Sequence, residues 1–162
     1  MTMMDIAEKV ENVFHVALGA KDEYKAFHLD TAMLVGIKTD GDKVVDINAE
    51  VASNEDIYDL LADSDNARKV QGYDSVGLVT CGWAAPLPVD YNGKGEELGA
   101  PSQHPEKRRV RLMVCASLSG EMASVLRFYD DQDNPISDNG GATGDLANAL
   151  LNFIQRANAS KN

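Results

Sequence analysis

The residues best placed to do chemistry are arginines in the last third of the chain. Along His104–Ala116 (HPEKRRVRLMVCA), charged or long residues alternate with aliphatic ones from Arg109 onward. Arg109, Arg111 and Met113 fall on one side, and Val110, Leu112 and Val114 on the other. A period of two places these sets on opposite faces of a strand. A second segment, roughly Met122 to Tyr129, carries Arg127 and Tyr129 in the same alternation. Leu118-Ser119-Gly120 between them fits a three-residue hairpin loop ending in a left-handed glycine. That loop pairs Leu112 with Leu126 and Val110 with Phe128, sets Arg111 opposite Arg127, and puts Arg109 beside Tyr129. An even-length loop would turn Arg127 into the aliphatic face, a slip that burial penalises heavily.

Like charges facing each other on a sheet repel unless something negative stands between them. With 26 Asp and Glu residues in the chain, an internal acid can serve. The sharper expectation is an anion gripped by guanidinium forks, either a small ligand such as a phosphate or carboxylate or an acidic segment of a partner. Tyr129, His104 and Trp83 complete that expected ligand-binding set with Arg109, Arg111 and Arg127. His104-Pro105 lies at the strand's entrance, where a base or a turn residue would stand. Trp83, the only tryptophan, reads as a pocket wall or as the anchor of a long loop.

Other constellations are weaker. Gly140-Gly141-Ala142-Thr143-Gly144-Asp145 lacks the Lys-Ser/Thr ending of a P-loop and the strand that precedes a dinucleotide fingerprint. Helix capping by Thr143 or Asp145 accounts for it. The acidic runs at Asp40–Asp42 and Asp130–Asn134 do not supply the glycine and glutamate of a calcium loop. The three histidines and two cysteines show no metal-site spacing, so neither metal nor cofactor is expected. No Gly-x-Ser-x-Gly elbow occurs, and catalytic residues stay unassigned.

These residues need a scaffold. Ile6, Val10, Val13, Phe14 and Ala17 form one stripe of a helix with Asp5 and Glu8 at its positive end and Gly19 just past its finish. Residues 20–28 connect it to a strand at Thr31–Lys38 and, through Asp40-Gly41, to a second at Lys43–Ala49. Ser53 caps a helix carrying Ile57, Leu60 and Leu61, expected to break near Asp63–Asn66 and to end near Gly72. Ser75–Ala84 is the third strand. Residues 85–107 hold four of the five prolines and form a long loop. After the arginine hairpin comes an acidic, turn-rich loop, DDQDNPISDNGG. A last helix then carries Leu146, Leu150, Phe153, Ile154 and Ala157, and 158–162 is a short disordered tail.

The expected architecture is therefore one α+β domain over 1–162, ordered α-β-β-α-β-β-β-α, with a mainly antiparallel five-stranded sheet and helices packed on it. This order resembles small regulatory folds of the profilin and roadblock type. Its opening α-β-β-α-β also resembles deaminase-like and isopeptidase-like folds, although the deaminase signature His-x-Glu with Pro-Cys-x-x-Cys is missing. A likeness of element order assigns no function.

At 162 residues the chain can bury a real core, and its composition is that of a globular protein. The net charge of -11 argues against general nucleic-acid or anionic-membrane binding. A local basic patch can act only within about 8–10 Å, one Debye length. The N-terminus carries acids where a signal peptide needs bases, and no apolar run approaches the ~18 residues of a membrane span. Cys81 and Cys115 sit in apolar strands, as reduced thiols of a cytoplasmic protein would. The expectation is a small cytoplasmic, non-enzymatic binding or adaptor protein that contacts an anionic ligand or acidic partner through an open, arginine-bearing sheet face. The alternative is a hydrolase-type enzyme with its site between Trp83, His104 and the 85–107 loop. A homodimer through the sheet face or an edge strand is the third reading.

Overall fold

The computed structural model describes residues 2–29, 32–41, 43–51, 57–84, 103–138 and 145–159. The first helix, α1 (Met3–Lys21), begins with a capping box. Thr2 Oγ1 accepts from the Asp5 backbone N–H at 3.2 Å, while the Asp5 carboxylate accepts from the Thr2 N–H at 2.9 Å. A 3₁₀ turn (Lys25–Phe27) follows, with Ala26 and Phe27 buried. Strands β1 (Met33–Asp40) and β2 (Lys43–Val51) form a hairpin, with Gly41 at a positive φ of 61° in its turn. Helices α2 (Ile57–Ala62) and α3 (Ser64–Lys69) are divided by Asp63, whose side chain caps α3 by accepting from Asp65 N–H at 2.9 Å. The expected break near 63–66 is this capping point. Strands β3 (Ser75–Ala84), β4 (Arg108–Ser117), β5 (Met122–Phe128) and β6 (Asp131–Asp138) precede the last helix, α4 (Asp145–Ala159).

The strands make one antiparallel sheet in the order β2-β1-β3-β4-β5-β6. Helices α2 and α3 carry the chain from edge strand β2 across to β3 on the far side of β1. The β4–β5 hairpin has the expected register: Val110 faces Phe128, Arg111 faces Arg127 and Leu112 faces Leu126. Its loop closes with Gly120 at φ 95°, as a three-residue loop with a left-handed glycine requires.

The structure departs from the sequence reading in four places. The sheet has six strands rather than five, because residues 131–138 pair with β5 instead of looping. An edge strand tolerates Asp, Asn and Pro, since one side of its backbone needs no protein partner, and Pro135 lies within β6. Second, both faces of the sheet are covered. Leu34, Leu78, Val114 and Ala116 pack under α2, α3 and α4, whereas Val35, Val79, Met113 and Cys115 pack under α1. The face expected to be open therefore lies beneath α1 over most of its length. Third, α1 is rotated from the expected stripe and continues through Gly19 to Lys21. Ala7 and Glu11 are buried, and Val13, at 48% exposure, and Ala17 face outward. Fourth, α4 runs to Ala159, two residues into the expected tail. Asn158 there accepts from Gly72 N–H and donates to the carbonyls of Tyr73 and Ile154. Ser53, most of the 85–107 loop and the glycine run at 140–144 lie outside the described residues.

Among the described residues, no helix is long and apolar enough to cross a membrane.

Candidate functional site

On the α1 side of the sheet, side chains from β3, β4 and β5 line up in cross-strand rows. Val79, Met113 and Val125 form an apolar row. One step further along are Cys81, Arg111 and Arg127. The next row holds Trp83 and Arg109, with Tyr129 just past β5, where its N–H donates to the Arg109 carbonyl at 2.9 Å. Antiparallel register brings these residues together, because directly opposed side chains share a face. Five of the six expected site residues thus fall into two neighbouring rows.

The two rows differ in environment. Arg111 is 1% exposed and is the largest fully buried side chain among the described residues. Its Nη2 donates to Glu11 Oε1 at 3.2 Å and to His15 Nδ1 at 2.9 Å, and its Nη1 donates to the Ala26 carbonyl at 3.1 Å. The Phe27 ring lies 4.6 Å beneath the guanidinium carbon. Arg127 grips Glu11 bidentately, Nε to Oε1 and Nη2 to Oε2, both at 2.7 Å. Its Nη1 also donates to the Gln132 carbonyl of β6. Glu11 is thus the acid that relieves the repulsion of the facing arginines, and it arrives from the same molecule.

Two guanidiniums share one carboxylate, so the row keeps one unit of positive charge. Burial pushes the Glu11 carboxyl up, but the bonds and charge of Arg127, then of Arg111, outweigh this and hold it below the ordinary value. Burial also lowers Arg111, partly offset by Glu11. A guanidinium nitrogen can only donate, so His15 Nδ1 accepts, and the imidazole is neutral with its proton on Nε2. Burial, then the charges of Arg127 and Arg111, keep His15 below its usual value. Burial raises the Cys81 thiol, against a backbone hydrogen bond from Leu29 and then the charges of Arg111 and Arg109.

The Trp83 row is half open. Trp83 and Tyr129 are each 37% exposed. Arg109 Nε donates to the Phe27 carbonyl at 2.7 Å, which fixes the guanidinium 5.0 Å from the centre of the Trp83 ring. Lys107 Nζ approaches the same ring at 4.7 Å. Tyr129 sits edge-on to Phe27, Tyr24 and His28, and the last two stack at 3.8 Å. Among the described residues no carboxylate pairs with Arg109, whereas its neighbour Arg108 is closed onto Asp130 at 2.5 Å.

His104 is not brought into either row by hydrogen bonding. It belongs to the turn before β4, where Nδ1 accepts from Glu106 N–H at 2.9 Å and its carbonyl accepts from Lys107 N–H. Among the described residues no carboxylate bonds its ring, and none forms a metal-binding group of His, Cys, Asp or Glu. The sequence reading missed Glu11, His15, Tyr24 and Phe27. Glu11 had one visible signal: with Ala7 and Phe14 it keeps the i, i+4, i+7 spacing of an inward stripe.

Comparison of the chain with known protein families, curated proteins and solved structures finds no match.

Proposed function

We propose that the protein is a small non-enzymatic binding module that receives an acidic segment of a protein partner on the row Trp83, Arg109 and Tyr129. The observation that carries this reading is Arg109. It is oriented by the Phe27 carbonyl and by Trp83 yet not neutralised by any described carboxylate, in a chain of net charge -11. A guanidinium has five N–H donors, and one is used here by the backbone. Trp, Tyr and Arg are the residues enriched at interface hot spots, because they bring large contact area at low conformational cost. Tyr24, 59% exposed, extends the aromatic surface alongside Tyr129.

Arg111 and Arg127 do not form the binding surface in this reading; they support it by holding α1 and the 3₁₀ turn in place. The free state of both thiols supports a reducing, cytoplasmic setting for the proposed module.

The test uses the single tryptophan as reporter. Titration with a short Glu-rich peptide is expected to give a saturable change in Trp83 fluorescence that weakens as salt rises. Arg109→Glu should abolish the change while the protein still unfolds cooperatively, at a melting temperature lowered by the loss of the donor to the Phe27 carbonyl. Inorganic phosphate, titrated in parallel, distinguishes a small-anion site from a peptide site. A flat titration with the peptide, or one that survives in the Arg109→Glu variant, rejects the proposal.

A further inference from the structure

We propose that the contact between His15 and Arg111 makes the second half of α1 a latch on the sheet that mild acid releases. The inference concerns how the fold is held, and it stands independently of what the Trp83 row binds.

Arg111 is the point at which two segments fasten to the sheet. It bonds Glu11 and His15 of α1, and it bonds the Ala26 carbonyl and covers the Phe27 ring of the turn. The His15 bond requires an unprotonated Nδ1, because the partner nitrogen of Arg111 has only donors. Protonation converts that acceptor into a donor aimed at a donor. It also adds a second unit of positive charge to a row that already carries one in excess.

The charged groups around His15 come from several elements. Glu11 lies one turn earlier in α1, Arg111 is on β4, Arg127 on β5 and Asp133 on β6; the 3₁₀ turn contributes the Phe27 ring, its centre 6.3 Å from that of the imidazole. Glu11 and Asp133 favour the imidazolium, while burial and the two arginines oppose it and prevail. The folded protein therefore resists protonation, and a proton taken up below neutral pH selects the conformation in which His15 has left Arg111.

The segment that lets go is set by packing. Every buried residue of α1 lies at or before Phe14. Beyond it Val16, Ala17, Ala20 and Lys21 are exposed, and Leu18 only partly packs on the core. Local opening follows the path of least buried apolar area, so the helix separates from His15 onward rather than from its N-terminal end.

The experiment is hydrogen exchange of the whole chain at about pH 8 and about pH 5, either side of the ordinary histidine value, corrected for the intrinsic pH dependence of exchange. Protection of residues 15–21 is expected to fall severalfold at the lower pH, while the 3₁₀ turn, β3 and β4 stay protected. His15→Gln, which keeps an acceptor but does not titrate, should remove the pH dependence. Equal protection at both values in the unmodified protein, or the same loss in the His15→Gln variant, overturns the proposal. NMR titration of the His15 ring in the unmodified protein covers the case in which the variant folds poorly. The protection loss must follow that titration, and a loss centred elsewhere also overturns it.

Discussion

Arg111 and Arg127 stand directly opposite each other on β4 and β5, and a single buried carboxylate serves both. Two cations at that spacing repel, and desolvation raises the cost of each, so the arrangement stands only while all three groups are present. Removing Glu11 leaves two guanidiniums buried with one excess charge more than before. Glu11→Ala should therefore lower unfolding free energy by about 3–5 kcal/mol. Arg111→Glu, which places a second acid against Glu11, should abolish cooperative folding. Replacing the three together with Leu, Met and Met should recover most of the loss. Urea unfolding of the three variants measures this, and a Glu11→Ala protein as stable as the parent would show that α1 is held by its apolar residues alone.

Acid should weaken the fold in two stages of the same sign. His15 is held below its ordinary value of 6.5, so the unfolded chain takes up a proton first, and stability declines as pH drops below that value. Glu11 is held below its ordinary 4.5, so its contribution is complete above that value and is lost as pH falls through the folded-state value. Urea midpoints measured from neutral to strongly acid pH should fall gently at first and then steeply. A midpoint that rises on acidification would contradict both assignments.

Two glycines should respond to alanine with opposite signs. Gly120 holds φ 95°, and an added Cβ would meet nothing within 4 Å, so the cost of Gly120→Ala is backbone strain of about 1–2 kcal/mol. Gly19 lies inside α1 with equal space around it, so Gly19→Ala should stabilise by up to about 1 kcal/mol through helix propensity. Thermal unfolding of the pair decides, and equal effects would be inconsistent with this backbone assignment.

The two thiols should differ in reactivity. Burial pushes Cys115 up to about 12, and a thiol reagent needs both thiolate and access. Cys81 is also raised but is only partly buried. Ellman's reagent is expected to modify Cys81 slowly and Cys115 not at all in the native protein, and both rapidly in urea. Rapid labelling of both without denaturant would show that the core opens readily.

Much of this scaffold was legible in the residues. The Gly120 loop and the alternation around Arg109 determined the hairpin register, because any slip would have moved Arg127 among aliphatic side chains. Ser75–Ala84 and the stripe Leu150, Phe153, Ile154 and Ala157 were equally readable, since burial follows apolar period there. The rest failed where polarity and position disagree. Glu11 reads as solvent-facing until its two partners are known, and those lie 100 and 116 residues away in sequence. With Glu11 turned inward, Val13 had to turn outward. Strand β6 was hidden because an edge strand does not need the apolar alternation that marks a buried one. The Trp83 row was only half visible: its residues were named, but the turn that orients Arg109 was read as a plain connection.

Pro135 gives the sheet a direction for growth. Its ring supplies no amide proton along β6, and the acids flanking it on that strand discourage a neighbour carrying the same charge. The opposite margin, β2, is nine residues long and contains no proline. The two margins of the sheet are therefore unequal: a strand laid against β6 meets a missing donor and like charge, and one laid against β2 meets no proline.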